Sequence, residues 1–231
     1  MSLVETDVAL VFHNPALLGD EVDMNLNVNY MSYLGDIGVG SVIFGKTLTP
    51  ISSFAVGVNY VDYGSIQGMS DENIAEGTFG MKHIAVNGTY SRDLTEKLRG
   101  GVTAKVIYSS YESYSSAAIG FDVGLSYYNK AEGFSSGITI KNVGTQISSF
   151  NEEKVGLPWD IQLGFSKKMN HSPLRISATA IYLSQWDFSR VDAANGLEDS
   201  KDNFLKTAFK HLVVGVDYIP SQNFWIGAGY S

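Results

Sequence analysis

The sequence predicts an all-β protein, a transmembrane antiparallel β-barrel, and three observations lead there. Apolar residues recur at every second position along most of the chain. The residues between them are small and polar instead of long and charged. The connections alternate between short turns and longer loops.

The period-two pattern marks about eleven strands. The first, MNLNVNYM, sets Met24, Leu26, Val28 and Tyr30 against Asn25, Asn27 and Asn29. DIGVGSVIF and FAVGVNYVDY follow. In HIAVNGTYS, Ile84, Val86 and Tyr90 oppose Ala85, Asn87, Thr89 and Ser91. After GVTAKVIYS comes GFDVGLSYY, with Phe121, Val123, Leu125 and Tyr127 against Gly120, Asp122, Gly124 and Ser126. FSSGITIKN precedes WDIQLGFSK, where Trp159, Ile161, Leu163 and Phe165 face away from Asp160, Gln162, Gly164 and Ser166. LRISATAIY, HLVVGVDYI and NFWIGAGYS complete the set.

Alternation alone fits a soluble sandwich or a barrel in lipid. The regular segments run to about nine to eleven residues, the length a tilted membrane strand needs, where a soluble strand averages about five or six. A soluble sheet shows water Lys, Glu and Arg; here the polar face is Gly, Ser, Asn, Thr and Asp, which suits a crowded, hydrated interior. KTLTPIS, RDLTEK, NKAEG, KKMNHSP and PSQN are short connections. Gly64–Glu76, Ser109–Ser116, Gly144–Pro158 and Ser184–Lys210 are long ones, and outer-membrane barrels separate short turns from long loops in this way. Tyr30, Tyr60, Tyr63, Tyr90, Tyr108, Tyr127, Tyr182, Trp159, Trp186, Tyr218 and Trp225 fall mostly near strand ends, as an interfacial girdle requires.

Two segments break the strand pattern. In VFHNPALLGD, Asn14 is a good helix cap, Pro15 suits a first helical position, and Gly19 stops the single apolar turn of Ala16, Leu17 and Leu18. In DNFLKTAFKHL, Phe204, Leu205, Ala208, Phe209 and Leu212 have helical spacing, and Asp199, Ser200 or Asp202 could cap the start. An amphipathic helix there would pack over the barrel mouth or face a partner.

Composition narrows the function classes. The chain of 231 residues carries a formal net charge of −8, with no basic patch for nucleic acid. It has no cysteine, which removes disulfides, thiolate metal sites and thiol catalysis. Charged residues make up 17%, below the roughly 25% of soluble domains. No apolar run is long enough for a membrane-spanning helix, and Met1–Leu10 holds Glu5 and Asp7 but no signal-peptide pattern. An odd strand count and a strand pattern running to Ser231 lead to the expectation of a fragment with further C-terminal strands in the intact protein.

No catalytic, cofactor or metal site is expected. GFSSG (Gly133–Gly137) matches a hydrolase nucleophile elbow, but that motif needs a strand before it and a helix after it. A turn precedes this one and ITIKNVG follows, so Ser135 and Ser136 open a barrel strand. GVGSVIFG has the wrong spacing for a phosphate loop. His13, His83, His171 and His211 are scattered, without an i, i+4 pair. The acidic groups Asp71-Glu72, Glu152-Glu153 and Glu198-Asp199 with Asp202 match no calcium loop and read as solvated loop charge.

VETDVALVFHNPALL resembles the segment before the first strands of the FadL-like outer-membrane barrels, with matching positions Asp7, Phe12, Asn14, Pro15 and Ala16. That resemblance implies a fourteen-stranded barrel. It also implies that residues 1–20 are a hatch or entry segment, with strands filling 21–231. LNVNYMSYLGDI, GVNYVDYGSI, KVIYSSYESYSS, IKNVGTQISSF, LPWDIQLGFSKKMNHSPLRIS and SQWDFS resemble one branch, the PorQ-type proteins of the type IX secretion system. The resemblance spans Val4 to Ser231. It implies a non-enzymatic barrel in the outer membrane of a Gram-negative cell, its long loops facing the exterior. The partners implied are outer-membrane lipid and a PorZ-like surface protein, with PorV-like and PorU-like subunits. FadL-type uptake of a hydrophobic small molecule is the alternative, and needs large apolar groups facing inward where most here are small and polar. A third reading, an outer-membrane phospholipase, needs Ser, His and an acid or amide converging on one wall, and no such spacing is evident.

Overall fold

The computed structural model describes residues 7–33, 36–69, 75–111, 114–148, 156–170, 172–185, 208–221 and 224–230. Eleven strands form one antiparallel sheet in chain order: β1 Asn25–Ser32, β2 Gly38–Thr49, β3 Ser52–Met69, β4 Ala75–Thr95, β5 Leu98–Tyr111, β6 Tyr114–Asn129, β7 Phe134–Ser148, β8 Asp160–Lys168, β9 Leu174–Ala180, β10 Leu212–Ser221 and β11 Phe224–Tyr230. Among the described residues, β1 pairs only with β2 and β11 only with β10. Each strand reverses into its neighbour, so the connections fall alternately at two ends, a turn end and a loop end.

The two faces are sorted as the alternation predicts. On β6, Phe121, Val123 and Leu125 are exposed, while Gly124 and the polar Asp122 and Ser126 are buried. On β4, Val86 and Tyr90 are exposed, and Asn87, Thr89 and Ser91 are buried. Greasy side chains point out and hydrophilic ones in, the reverse of a soluble protein, because the outer face meets hydrocarbon. On β4 the outward row runs Lys82, Ile84, Val86, Gly88, Tyr90, Arg92. The charged ends are separated by about 34 Å of strand, or roughly 26 Å of height at a tilt of ~40°, which matches the apolar band of a membrane barrel.

The aromatic arrangement follows. Tyr30, Tyr60 and Tyr108 share one cross-strand row near the loop end, through Gly40 and Ile84. One row further out, Lys82 meets Asp62 at 3.4 Å, and the Tyr60 hydroxyl donates to that carboxylate at 2.9 Å. Rings and then charges mark the passage from hydrocarbon to water. Trp186 lies outside the described residues.

Two expected loops are strand over their described residues. Within Gly64–Glu76, residues 65–69 and 75–76 continue the β3–β4 ladder from Ser65↔Gly80 to Met69↔Ala75, and residues 70–74 lie outside the described residues. A register shift at Asp62/Ser65 and a left-handed Gly64 (φ 72) let the hairpin bend and then resume pairing. Residues 109–111 and 114–116 are likewise laddered, with Tyr111 opposite Tyr114. Backbone pairing needs no apolar face once strands leave hydrocarbon, so Gly- and Ser-rich composition imitates a loop. In the helix expected over DNFLKTAFKHL, only Ala208–Lys210 is a described helical turn. Leu212 begins β10, paired with Ala180, because it alternates with Val214 and Val216. Phe204 and Leu205 lie outside the described residues, as do Asp71, Glu72, Glu152, Glu153, His171, Glu198, Asp199, Ser200 and Asp202.

The apolar core is not between strands. It consists of Val8, Val11, Leu18 and Val22 from the segment before β1, packed on Ile43 and Ala55 of the wall.

Candidate functional site

The feature that distinguishes this molecule is that N-terminal segment, three short 3-10 turns at Val8–Phe12, Pro15–Leu17 and Asp20–Val22 seated against the concave face of the sheet. Local chemistry shapes it. The Asp7 carboxylate caps the first turn through the Ala9 N–H at 2.9 Å. Asn14 caps the second through the Ala16 N–H at 2.9 Å, with Pro15 filling a position where no N–H is needed. Val8 and Leu18 are 0% exposed.

The wall is hollowed to receive it. A Cβ on Gly101 would run into the Pro15 carbonyl, and one on Gly124 into the Asn14 side chain. A Cβ on Gly45 would lie 2.8 Å from Val8 Cγ2, and one on Gly57 3.0 Å from Ile43 and 3.1 Å from Phe12 Cζ. Four inward glycines on four strands therefore make room for a chain segment at van der Waals contact.

Polar groups from six strands then fix it. Asn27 on β1 donates to Asp7 at 2.8 Å, and the Thr47 N–H on β2 donates to Asp23 at 2.7 Å. Ser91 on β4 donates to the Leu18 carbonyl. Arg99 on β5 gathers Asp93 beside it together with Glu21 (3.3 Å) and Asp20 (3.8 Å) of the segment. Asn14 donates to the Leu125 carbonyl on β6 at 3.3 Å, and Lys141 on β7 to the Phe12 carbonyl at 3.0 Å. Desolvation, with the Lys141 ammonium adding to it, holds the His13 imidazole below its ordinary pKa, so this histidine is neutral at pH 7.

Above the segment lies a buried polar node. Asn142 sits at a bulge in left-handed backbone (φ 59), a conformation Asn tolerates. Its backbone N–H donates to Asp122 at 2.7 Å, and Lys105 bridges Asp122 (2.8 Å) and the Asn142 side-chain Oδ1 (2.6 Å). Further along, the Asp160 carboxylate accepts from Gln162 at 2.8 Å and from the Tyr182 N–H at 3.1 Å, tying residues 181–185 to the start of β8.

Ser135 and Ser136 do open a strand, β7, and the buried Ser135 hydroxyl pairs with Ser166 at 2.8 Å. No helix follows, so the nucleophile-elbow geometry is missing at that point. The histidines stay apart. His13 ends the first turn, His83 is on β4, and buried His211 contacts the Ile181 carbonyl at 2.8 Å. Sequence spacing missed one approach: the antiparallel register sets His83 opposite Ser109, within hydrogen-bond distance, with the Tyr63 ring edge-on to the imidazole. No carboxylate joins that pair, and no group of three metal-binding side chains occurs, among the described residues.

An up-and-down wall with an apolar exterior, curved around a capped N-terminal segment, defines a transmembrane β-barrel. A solved structure of a FadL homologue from Pseudomonas aeruginosa is similar, with a TM-score of 0.56 at 12% identity, covering 99% of this chain and 76% of that one. No family model matches the chain, and no curated protein matches it.

Proposed function

We propose that this chain is a non-enzymatic outer-membrane barrel of the type IX secretion attachment complex, which holds a PorZ-like surface protein through its loop-end connections. PorV-like and PorU-like subunits share the assembly in this reading. The observation that carries it is the filled interior: a segment seated in glycine hollows and tied to six strands occupies the concave side, while the loop-end connections are free to vary on a rigid frame. The PorQ-type resemblance supplies the identity of the partner. Deleting residues 186–207, in the longest of these connections, should release the surface partner from isolated outer membranes while the barrel still inserts. Retention of the partner at wild-type levels would remove that loop from the reading.

The FadL-like fold supports a second reading, a channel for hydrophobic small molecules. Its test is separate. A deletion strain with normal protein secretion and reduced uptake of a long-chain fatty acid would favour the channel.

A further inference from the structure

On the outer face, toward the turn end, the wall dips over β6 to β10 into a groove of about 610 Å³, within the size range of small-molecule sites. The register shows why. Outward positions run Tyr127, Ser136, Phe165, Ala178 in one cross-strand row and Leu125, Ile138, Leu163, Ala180 in the next. Ser136, Ala178 and Ala180 are small where the others are large, and Ala178 is only 8% exposed although its row faces outward. The next outward position on β8, one pleat closer to the turns than Phe165, is Lys167. Its ammonium donates to the Glu132 carbonyl of the β6–β7 turn at 2.7 Å. Two more N–H bonds remain for an acceptor, and Lys167 makes no ion pair among the described residues.

We propose that this groove binds one phospholipid of the periplasm-facing leaflet, with an acyl chain along Ser136, Ala178 and Ala180 and the phosphate on Lys167. Between two apolar surfaces in lipid there is no hydrophobic drive, so close packing and polar contacts decide what stays bound. The groove supplies the packing, because a chain laid over small residues touches the large ones beside them. Lys167 supplies the charge where hydrocarbon gives way to water. The leaflet follows from sidedness, since short turns of outer-membrane barrels face the periplasm. A lipid A molecule would sit at the loop end, where the outward Lys82 is already paired with Asp62 at 3.4 Å. The site stands under either reading of the function.

The delipidated full chain in detergent micelles is titrated with dipalmitoyl phosphatidylglycerol and, separately, with dipalmitoylglycerol and palmitate. Retained lipid is read by native mass spectrometry. One phosphatidylglycerol per barrel should be held more tightly than either other probe. Lys167→Gln should weaken it about tenfold, the loss of a charged hydrogen bond, and leave dipalmitoylglycerol unchanged. Ala178→Phe should fill the groove and weaken retention more than tenfold, whereas Val86→Phe, on the same face outside the groove, should leave it unchanged. Where Ala178→Phe fails to fold, by heat-dependent gel mobility, Ala180→Leu takes its place with the same expected loss. Wild-type retention in the filled variant, or palmitate or dipalmitoylglycerol held as tightly as phosphatidylglycerol, overturns the proposal. So does a wild-type dimer that the filled variant dissociates, because a second barrel would then be the occupant.

Discussion

Phe121, Val123 and Leu125 outside β6 and Gly120, Asp122 and Gly124 inside it are neighbours in the chain, yet they answer to different constraints. The outer three are 40–52% exposed and touch a fluid, so any apolar side chain serves. The inner face is a surface of contact with one particular chain segment. There a glycine is required where Asn14 or Pro15 passes, and a carboxylate is required where Lys105 reaches it. The outside is specified by composition and the inside by complementarity, so substitutions on the two faces should differ in kind.

The largest effect is expected inside. Lys105→Met removes the ion-pair partner of Asp122, whose side chain is 6% exposed, and leaves it only the Lys141 charge nearby. Breaking a buried pair costs about 3–5 kcal/mol when no other cation is near, so a loss at the low end of that range is expected, read as a lower urea midpoint in micelles. Removing both charges with Lys105→Met and Asp122→Leu should restore most of the loss. If the double variant were no better than the single one, the node would be a packing feature and the charges incidental.

Outside, Val123→Arg places a charge at the middle of the β6 apolar band, at a cost of about 2–4 kcal/mol in a bilayer. The same change to Leu should be nearly silent. Equal tolerance of Arg and Leu at position 123 would mean that this face does not meet hydrocarbon. Two glycines sharpen the contrast further. Gly101→Val drives side-chain atoms into the Pro15 backbone and should cost about 1–3 kcal/mol as overpacking. Gly88→Ala on the outer face meets nothing within 4 Å and should leave stability unchanged or slightly higher.

The same asymmetry explains how much could be read from the amino acids. The outer face announces itself as period two, so the sorting of Val86 from Asn87 and of Val123 from Asp122 was legible, as was Ser135 at a strand opening. The capped turn at Asn14-Pro15 was legible because capping is local chemistry. Its seat was not: Gly45, Gly57, Gly101 and Gly124 are far apart in the chain, and nothing local says which glycine faces another segment. The His83–Ser109 approach and the Lys105–Asp122 pair depend on register across strands in the same way. The hairpin extensions past Gly64 and Ser109 were misread because ladder pairing beyond the membrane leaves no apolar alternation to see.

The smallest measurable loss tests the hinge of the whole comparison, the cap itself. Asn14 is 0% exposed, accepts from the Ala16 N–H and donates to the Leu125 carbonyl, so one side chain both shapes the segment and fastens it to the wall. Asn14→Ala removes both bonds and should cost about 1 kcal/mol. Asn14→Asp keeps the acceptor and loses the donor, which isolates the wall contact from the cap. If the segment is held by its seat, both variants should keep it protected in limited proteolysis, because Gly101, Gly124 and the Arg99 cluster still hold either side of it. Rapid cleavage near residue 14 in the Ala variant, with the strands intact, would mean that the cap dominates and the glycine hollows contribute little.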